Sequence, residues 1–204
     1  MPNPMDLARE IEVCRICRDN PSGAPLPHEP RPVVRLSRTA KVCIVGQAPG
    51  LRVHESGEPF DDRSGDRLRD WMGVDREAFY DSSKLAIVPM GFCFPGYDAK
   101  GGDLPPRKEC AQKWRQACFD IMPQLELMIV IGMYAQSWHL GKLRQKTLTQ
   151  TVENWREILE STQKPAKLPL PHPSWRNTGW LKRNPWFEEE LVPKLRKLVD
   201  ELVK

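Results

Sequence analysis

Residues 41–65 read KVCIVGQAPGLRVHESGEPFDDRSG. The opening apolar run, Val42-Cys43-Ile44-Val45, is short and rich in β-branched residues, the pattern of a buried strand rather than of a helix. Gly46-Gln47-Ala48-Pro49-Gly50 follows at once and predicts a turn whose backbone N–H and C=O groups no side chain covers. In open α/β sheets ligands sit at the carboxyl ends of strands. Residues 57–65, rich in Gly, Pro, Asp and Ser, predict a loop that carries one aromatic ring, Phe60. A flat apolar ring beside bare backbone polar groups suits a flat, polar-edged ligand such as a nucleobase.

Three further apolar runs repeat the strand pattern: Leu85-Ala86-Ile87-Val88, the run from Leu127 to Gly132, and Lys167-Leu168-Pro169-Leu170. Helical spacing predicts helices over 4–18, 65–72 (capped by Ser64), 107–122, 133–140, 149–159 and 186–203, with 97–107 irregular. Strands alternating with helices predict an α/β fold, a three-layer helix/sheet/helix sandwich around a central, mostly parallel four-stranded sheet. The strand ends at 46–50, 89–95 and 171–174 would then open on one edge.

At 204 residues the chain is expected to form a single domain spanning 1–204, and a monomer suffices for one domain with one functional edge. It is 40% hydrophobic and 28% charged, with no run of about eighteen apolar residues, so the expectation is a cytoplasmic protein with no membrane partner. Residues 1–14 carry acidic groups and no apolar stretch of the kind a secretion signal needs. The net charge of +4 is modest, and its basic cluster over 176–183 is compatible equally with a phosphate backbone and with a solvated face. Thirteen of the twenty prolines gather at 21–32, 89–106 and 165–173; the last two stretches read as functional loops.

Six cysteines without a secretion signal argue against a disulfide framework. Cys14 and Cys17 form a C-x2-C pair, while sixteen residues separate Cys93 from Cys110. A C-x2-C pair suits a metal site or a redox dithiol. Cys43 in the first strand and Cys118 on an apolar helix face read as core.

GQAPG after an apolar strand, then SGEPF, RSG, and HPS at 172–174, resemble the uracil-DNA glycosylase superfamily, and their spacing is most similar to its iron–sulfur-containing, family 4-like branch. The resemblance runs from Cys14 to the final helix. It implies a monofunctional DNA glycosylase that flips uracil or a related deaminated base out of DNA and cleaves its N-glycosidic bond, the first step of base excision repair. By the same resemblance His172 donates to the departing base, Phe60 stacks on it (roughly 1–3 kcal/mol), and the backbone of Gly46, Gln47 and Ala48 meets its edge. Ser64, Ser174, Trp175, Arg176 and Asn177 would contact DNA, with Trp175 either a wedge in the vacated stack or packed on the last helix. Cys14, Cys17, Cys93 and Cys110 would hold a [4Fe–4S] cluster, with zinc on the same thiolates, or four free thiols, as the alternatives.

Three positions depart from the pattern. The best-known branch carries an aspartate after Gly-Gln where this chain has Ala48, and the iron–sulfur branch carries a Glu where this chain has Gln47 and an Asn where this chain has Pro89. Gln47 can orient a water but cannot take its proton, so Asp61, beside Phe60, is the second water-positioning candidate. A competing reading is a catalytically weak or inactive nucleic-acid-binding protein of the same fold. A nucleotide binder is the third, and the chain lacks the phosphate-loop and dinucleotide fingerprints it would need.

Overall fold

The computed structural model describes residues 4–162 and 164–203. Its elements run α1 (Pro4–Glu12), α2 (Ile16–Asp19), β1 (Val42–Val45), α3 (Leu51–Ser56), α4 (Arg63–Met72), α5 (Arg76–Tyr80), β2 (Leu85–Ile87) and α6 (Lys108–Asp120). They continue β3 (Leu127–Ile131), α7 (Gly132–His139), α8 (Leu148–Glu153), α9 (Trp155–Ser161), β4 (Ala166–Leu170), α10 (Thr178–Arg183) and α11 (Val192–Val203).

The four strands form one all-parallel sheet in the order β2-β1-β3-β4. Every residue of β1, β2 and β3 is buried, as strands covered on both faces must be. Their side chains alternate between two cores. Cys43, Val45, Ala86, Val88, Met128 and Val130 point toward α1, α2, α6 and α7, joining Ile11, Cys17, Trp114 and Ala135. Val42, Ile44, Leu85, Ile87, Leu127 and Ile129 point the other way, onto Leu68, Trp71, Phe79, Phe187 and Leu195. The expected helix/sheet/helix sandwich is therefore the observed one. Residue Arg35 pairs antiparallel with Ile87, its N–H and C=O meeting those of Ile87 at 2.8 and 2.9 Å, which covers the outer edge of β2.

Several local expectations are corrected. The helix expected over 4–18 is broken at residues 13–15, where the chain turns so that Cys14 and Cys17 face the same interior. Asp62, not Ser64, caps α4: its Oδ1 accepts from Gly65 N at 2.8 Å and the helix begins at Arg63. The helix expected over 149–159 is two, α8 and α9, meeting at Asn154. Three short helices, α3, α5 and α10, lie where residue pattern predicted no element. Each is too short to show an apolar period.

Candidate functional site

In the order β2-β1-β3-β4 the chain runs from β1 to β2 on one side and from β3 to β4 on the other, and the crevice at such a switch point is where open sheets hold ligands. A cleft of about 550 Å³ opens there. Gly46 to Gly50 after β1, Pro89 after β2 and His172 after β4 all line it, with Pro59, Phe60 and Ser64 from the loop entering α4.

The turn after β1 is less bare than its sequence suggests. The Gly46 carbonyl accepts from Met90 N at 2.9 Å and the Gln47 carbonyl from Gly91 N at 3.0 Å. Those two acceptors tie the turn to the segment leaving β2. Gln47 Nε2 donates to Leu104 O at 3.4 Å.

Phe60 has φ +57°, a left-handed backbone that a bulky side chain rarely adopts. Its neighbours hold it there. Arg69, buried in α4, reaches the Phe60 carbonyl at 3.4 Å, and the Tyr80 hydroxyl donates to Pro59 O at 3.0 Å. The ring meets Phe79 edge-on, centroids 6.1 Å apart, and its Cζ stands 3.6 Å from where a Gly46 β-carbon would be. One face of the cleft is thus a half-buried ring lying against Gly46, which has no side chain to hold it off.

His172 faces it from β4. Ser174 N donates to His172 Nδ1 at 3.2 Å, so a neutral ring carries its proton on Nε2. Burial pushes its pKa below the ordinary histidine value, and the Asp62 carboxylate opposes this only in part. The imidazole is therefore a neutral donor at neutral pH. Asn177 Nδ2 donates to His172 O at 2.7 Å, which makes Asn177 a brace behind the loop, outside the cleft lining.

Arg67, unforeseen from sequence, grips the same loop through Ser174 O at 3.0 Å and Thr178 Oγ1 at 3.3 Å. Ser174 Oγ accepts from Arg176 N at 3.2 Å, closing a single tight turn over Trp175–Asn177. Trp175 at its tip is 67% exposed, so it does not pack on the last helix. Arg176, Arg52 and Arg63 surround the opening.

Asp61 stands apart from this group. It pairs with Arg76 at 3.2 Å, beside Glu58 at 2.8 Å from the same guanidinium, and does not line the cleft. The carboxylates that do are Asp62 and Asp103, together with a second exposed ring, Tyr97. Asp103 and Tyr97 sit in the stretch that sequence left irregular, where an antiparallel bridge pairs them.

Cys14, Cys17, Cys93 and Cys110 line one small void with Leu26, Phe92 and Trp114. All are free thiols; Trp114 Nε1 donates to Cys14 Sγ at 3.2 Å and Phe92 N to Cys110 Sγ at 3.3 Å. Among the described residues no three His, Cys, Asp or Glu side chains stand in a geometry that holds a metal ion. Cys43 and Cys118 are fully buried, as expected of core thiols.

Fold and cleft together define an α/β protein with a cleft built at the strand ends of a parallel sheet. The model of the uracil DNA glycosylase superfamily matches residues 34–196, most of the chain. The chain belongs to that superfamily. Among the described residues no helix is long and apolar enough to cross a membrane.

Proposed function

We propose that the protein is a monofunctional DNA glycosylase that excises uracil, or another deaminated base, from DNA. The observation that carries this reading is the neutral His172, its Nε2–H free to donate within the cleft that Phe60 and Gly46 wall. Cleaving the glycosidic bond leaves negative charge on the departing base. A preorganised donor at its oxygen lowers the barrier without first having to be protonated or turned. The flipped base would stack on Phe60, and Trp175, exposed at the tip of a braced loop, would fill the gap it leaves in the duplex. Arg52, Arg63 and Arg176 would hold phosphates and fix register, with Ser64 and Ser174 beside them.

Four thiols lining one void are a soft donor set, and we assign them a [4Fe–4S] cluster, with zinc the alternative. Its role would be structural. The four thiols tie α1 and α2 to the segment after β2 and to α6, and Pro89, at the start of that segment, lines the cleft.

The test is base excision from single- and double-stranded oligonucleotides containing uracil, hypoxanthine or xanthine, with His172→Ala beside the wild type. The expected result is abasic-site formation that His172→Ala slows by about 10²–10³-fold. No excision by the wild type from any of the three would leave the competing reading, a catalytically weak DNA-binding protein, which Ala48 and Pro89 favour.

A further inference from the structure

Hydrolysis of a glycosidic bond needs an acceptor for the proton of the attacking water as well as a donor for the leaving base. The turn after β1, Gly46 to Gly50, carries no carboxylate, and the groups around the cleft narrow the choice. His172 Nδ1 is taken by Ser174 N, and its Nε2 carries the proton. The Asp62 carboxylate caps α4 through Gly65 N at 2.8 Å. Asp61 is paired with Arg76 outside the lining. An amide such as that of Gln47 takes no proton.

Asp103 remains. Its carboxylate has no hydrogen-bond or ion-pair partner among the described residues, and it stands exposed at the mouth of the cleft. Its Oδ2 lies 3.8 Å from where a Gly50 β-carbon would be, so it overhangs the turn that lacks an acid. The loop holding it is braced at both ends. Asp103 pairs antiparallel with Tyr97, Leu104 N donates to Gly96 O at 2.9 Å, and Asp98 N donates to Gly102 O at 2.7 Å. The next residue, Leu104, receives the Gln47 amide at 3.4 Å, which ties this loop to the turn itself.

We infer that Asp103 is a catalytic residue that orients the attacking water and accepts its proton. This rests on the glycosylase reading above. In the step, water oxygen bonds to the sugar C1′ as the C1′–N bond breaks, and the bonding pair leaves with the base. One water proton passes to the Asp103 carboxylate, and the base anion, held by the His172 N–H, is then protonated from solvent. Desolvation holds the Asp103 carboxyl above the usual aspartate range; Arg176 opposes this, while Asp62 and Asp98 add to it. Those groups and His172 are the charges and titratable neighbours its ionisation would sense.

The test is single-turnover excision from a uracil-containing duplex by wild type, Asp103→Asn and Asp61→Asn, measured from acid to alkaline pH. Binding of a duplex carrying a non-hydrolysable 2′-fluoro-deoxyuridine is measured alongside. Asp103→Asn should slow excision by about 10²-fold or more and lose the acid-side rise in rate, while binding changes by less than about threefold. A merely structural role for Asp103 would not remove the acid limb. An Asp103→Asn rate within about threefold of wild type, or a loss confined to Asp61→Asn, would overturn the assignment and leave the glycosylase reading standing. A wild type that excises none of uracil, hypoxanthine and xanthine would overturn both.

Discussion

A β-carbon on Gly65 would stand 1.7 Å from the carbonyl oxygen of Phe60. That approach is possible only for glycine, and it lets the first turn of α4 close beneath the left-handed Phe60 backbone. Gly65→Ala should therefore displace the stacking ring as well as destabilise the fold, by about 1–3 kcal/mol of overpacking. Thermal unfolding reads the second effect. Excision at saturating enzyme reads the first, and a variant that melts early yet turns over at the wild-type rate would show that Phe60's position does not matter.

Trp175 makes the opposite kind of prediction, because it is 67% exposed and braced from behind rather than packed. Trp175→Ala should leave the melting temperature unchanged. It should weaken binding to a uracil-containing duplex by about tenfold or more, since filling a vacated stack is worth about 1–3 kcal/mol. Single-stranded substrate, which has no stack to refill, should be affected less; equal losses on both would argue against a wedge.

The cysteine quartet predicts a coloured protein. As isolated, it should be brown with iron and sulfide in cluster stoichiometry, and Cys110→Ser should bleach it and lower its thermal stability. Colourless protein with one equivalent of zinc would overturn the cluster and keep the metal.

Acid stability tests the buried pair behind the site. Arg115, 2% exposed in α6, donates to Pro89 O at 2.9 Å and through Nε to His139 Nε2 at 3.0 Å, and Pro89 lines the cleft. Burial, with the nearby charges of Arg115 and Lys167, lowers the His139 pKa from 6.5 to about 2. Below pH 6.5 the unfolded chain binds a proton that the folded one refuses, so stability falls as pH falls from 6.5 toward 2. The slope from this group is at most about 1.4 kcal/mol per pH unit. His139→Gln, which can still accept from Arg115, should flatten that part of a urea-denaturation series; parallel wild-type and variant curves would contradict it.

The strands and the main helices were legible from residue pattern because burial on both faces leaves a local mark: Val42 to Val45, Leu85 to Ile87 and Leu127 to Ile131 are apolar throughout. The short elements were not, since α3, α5 and α10 span six, five and six residues. Caps were ambiguous for a related reason. Asp62 and Ser64 are both good N-caps, and only the position of Gly65 N beside Asp62 Oδ1 separates them. Asp61 and Asp62 likewise look alike in sequence, yet one turns to Arg76 and the other to the cleft.

By itself, the sequence determined the sheet, the two-sided core, the family signature and the edge on which GQAPG and HPS would meet. These rest on local chemistry: β-branched runs, glycines at a turn, an imidazole between prolines. What only the tertiary structure decided is which groups share that edge and in what state. Asp103 reaches the turn from more than fifty residues away through its bridge to Tyr97, and Arg67 grips the His172 loop across more than a hundred. The protonation of His172 likewise depends on Ser174 N and on burial. Distance between side chains and access to water are properties of the packed chain, and no spacing along the sequence encodes them directly.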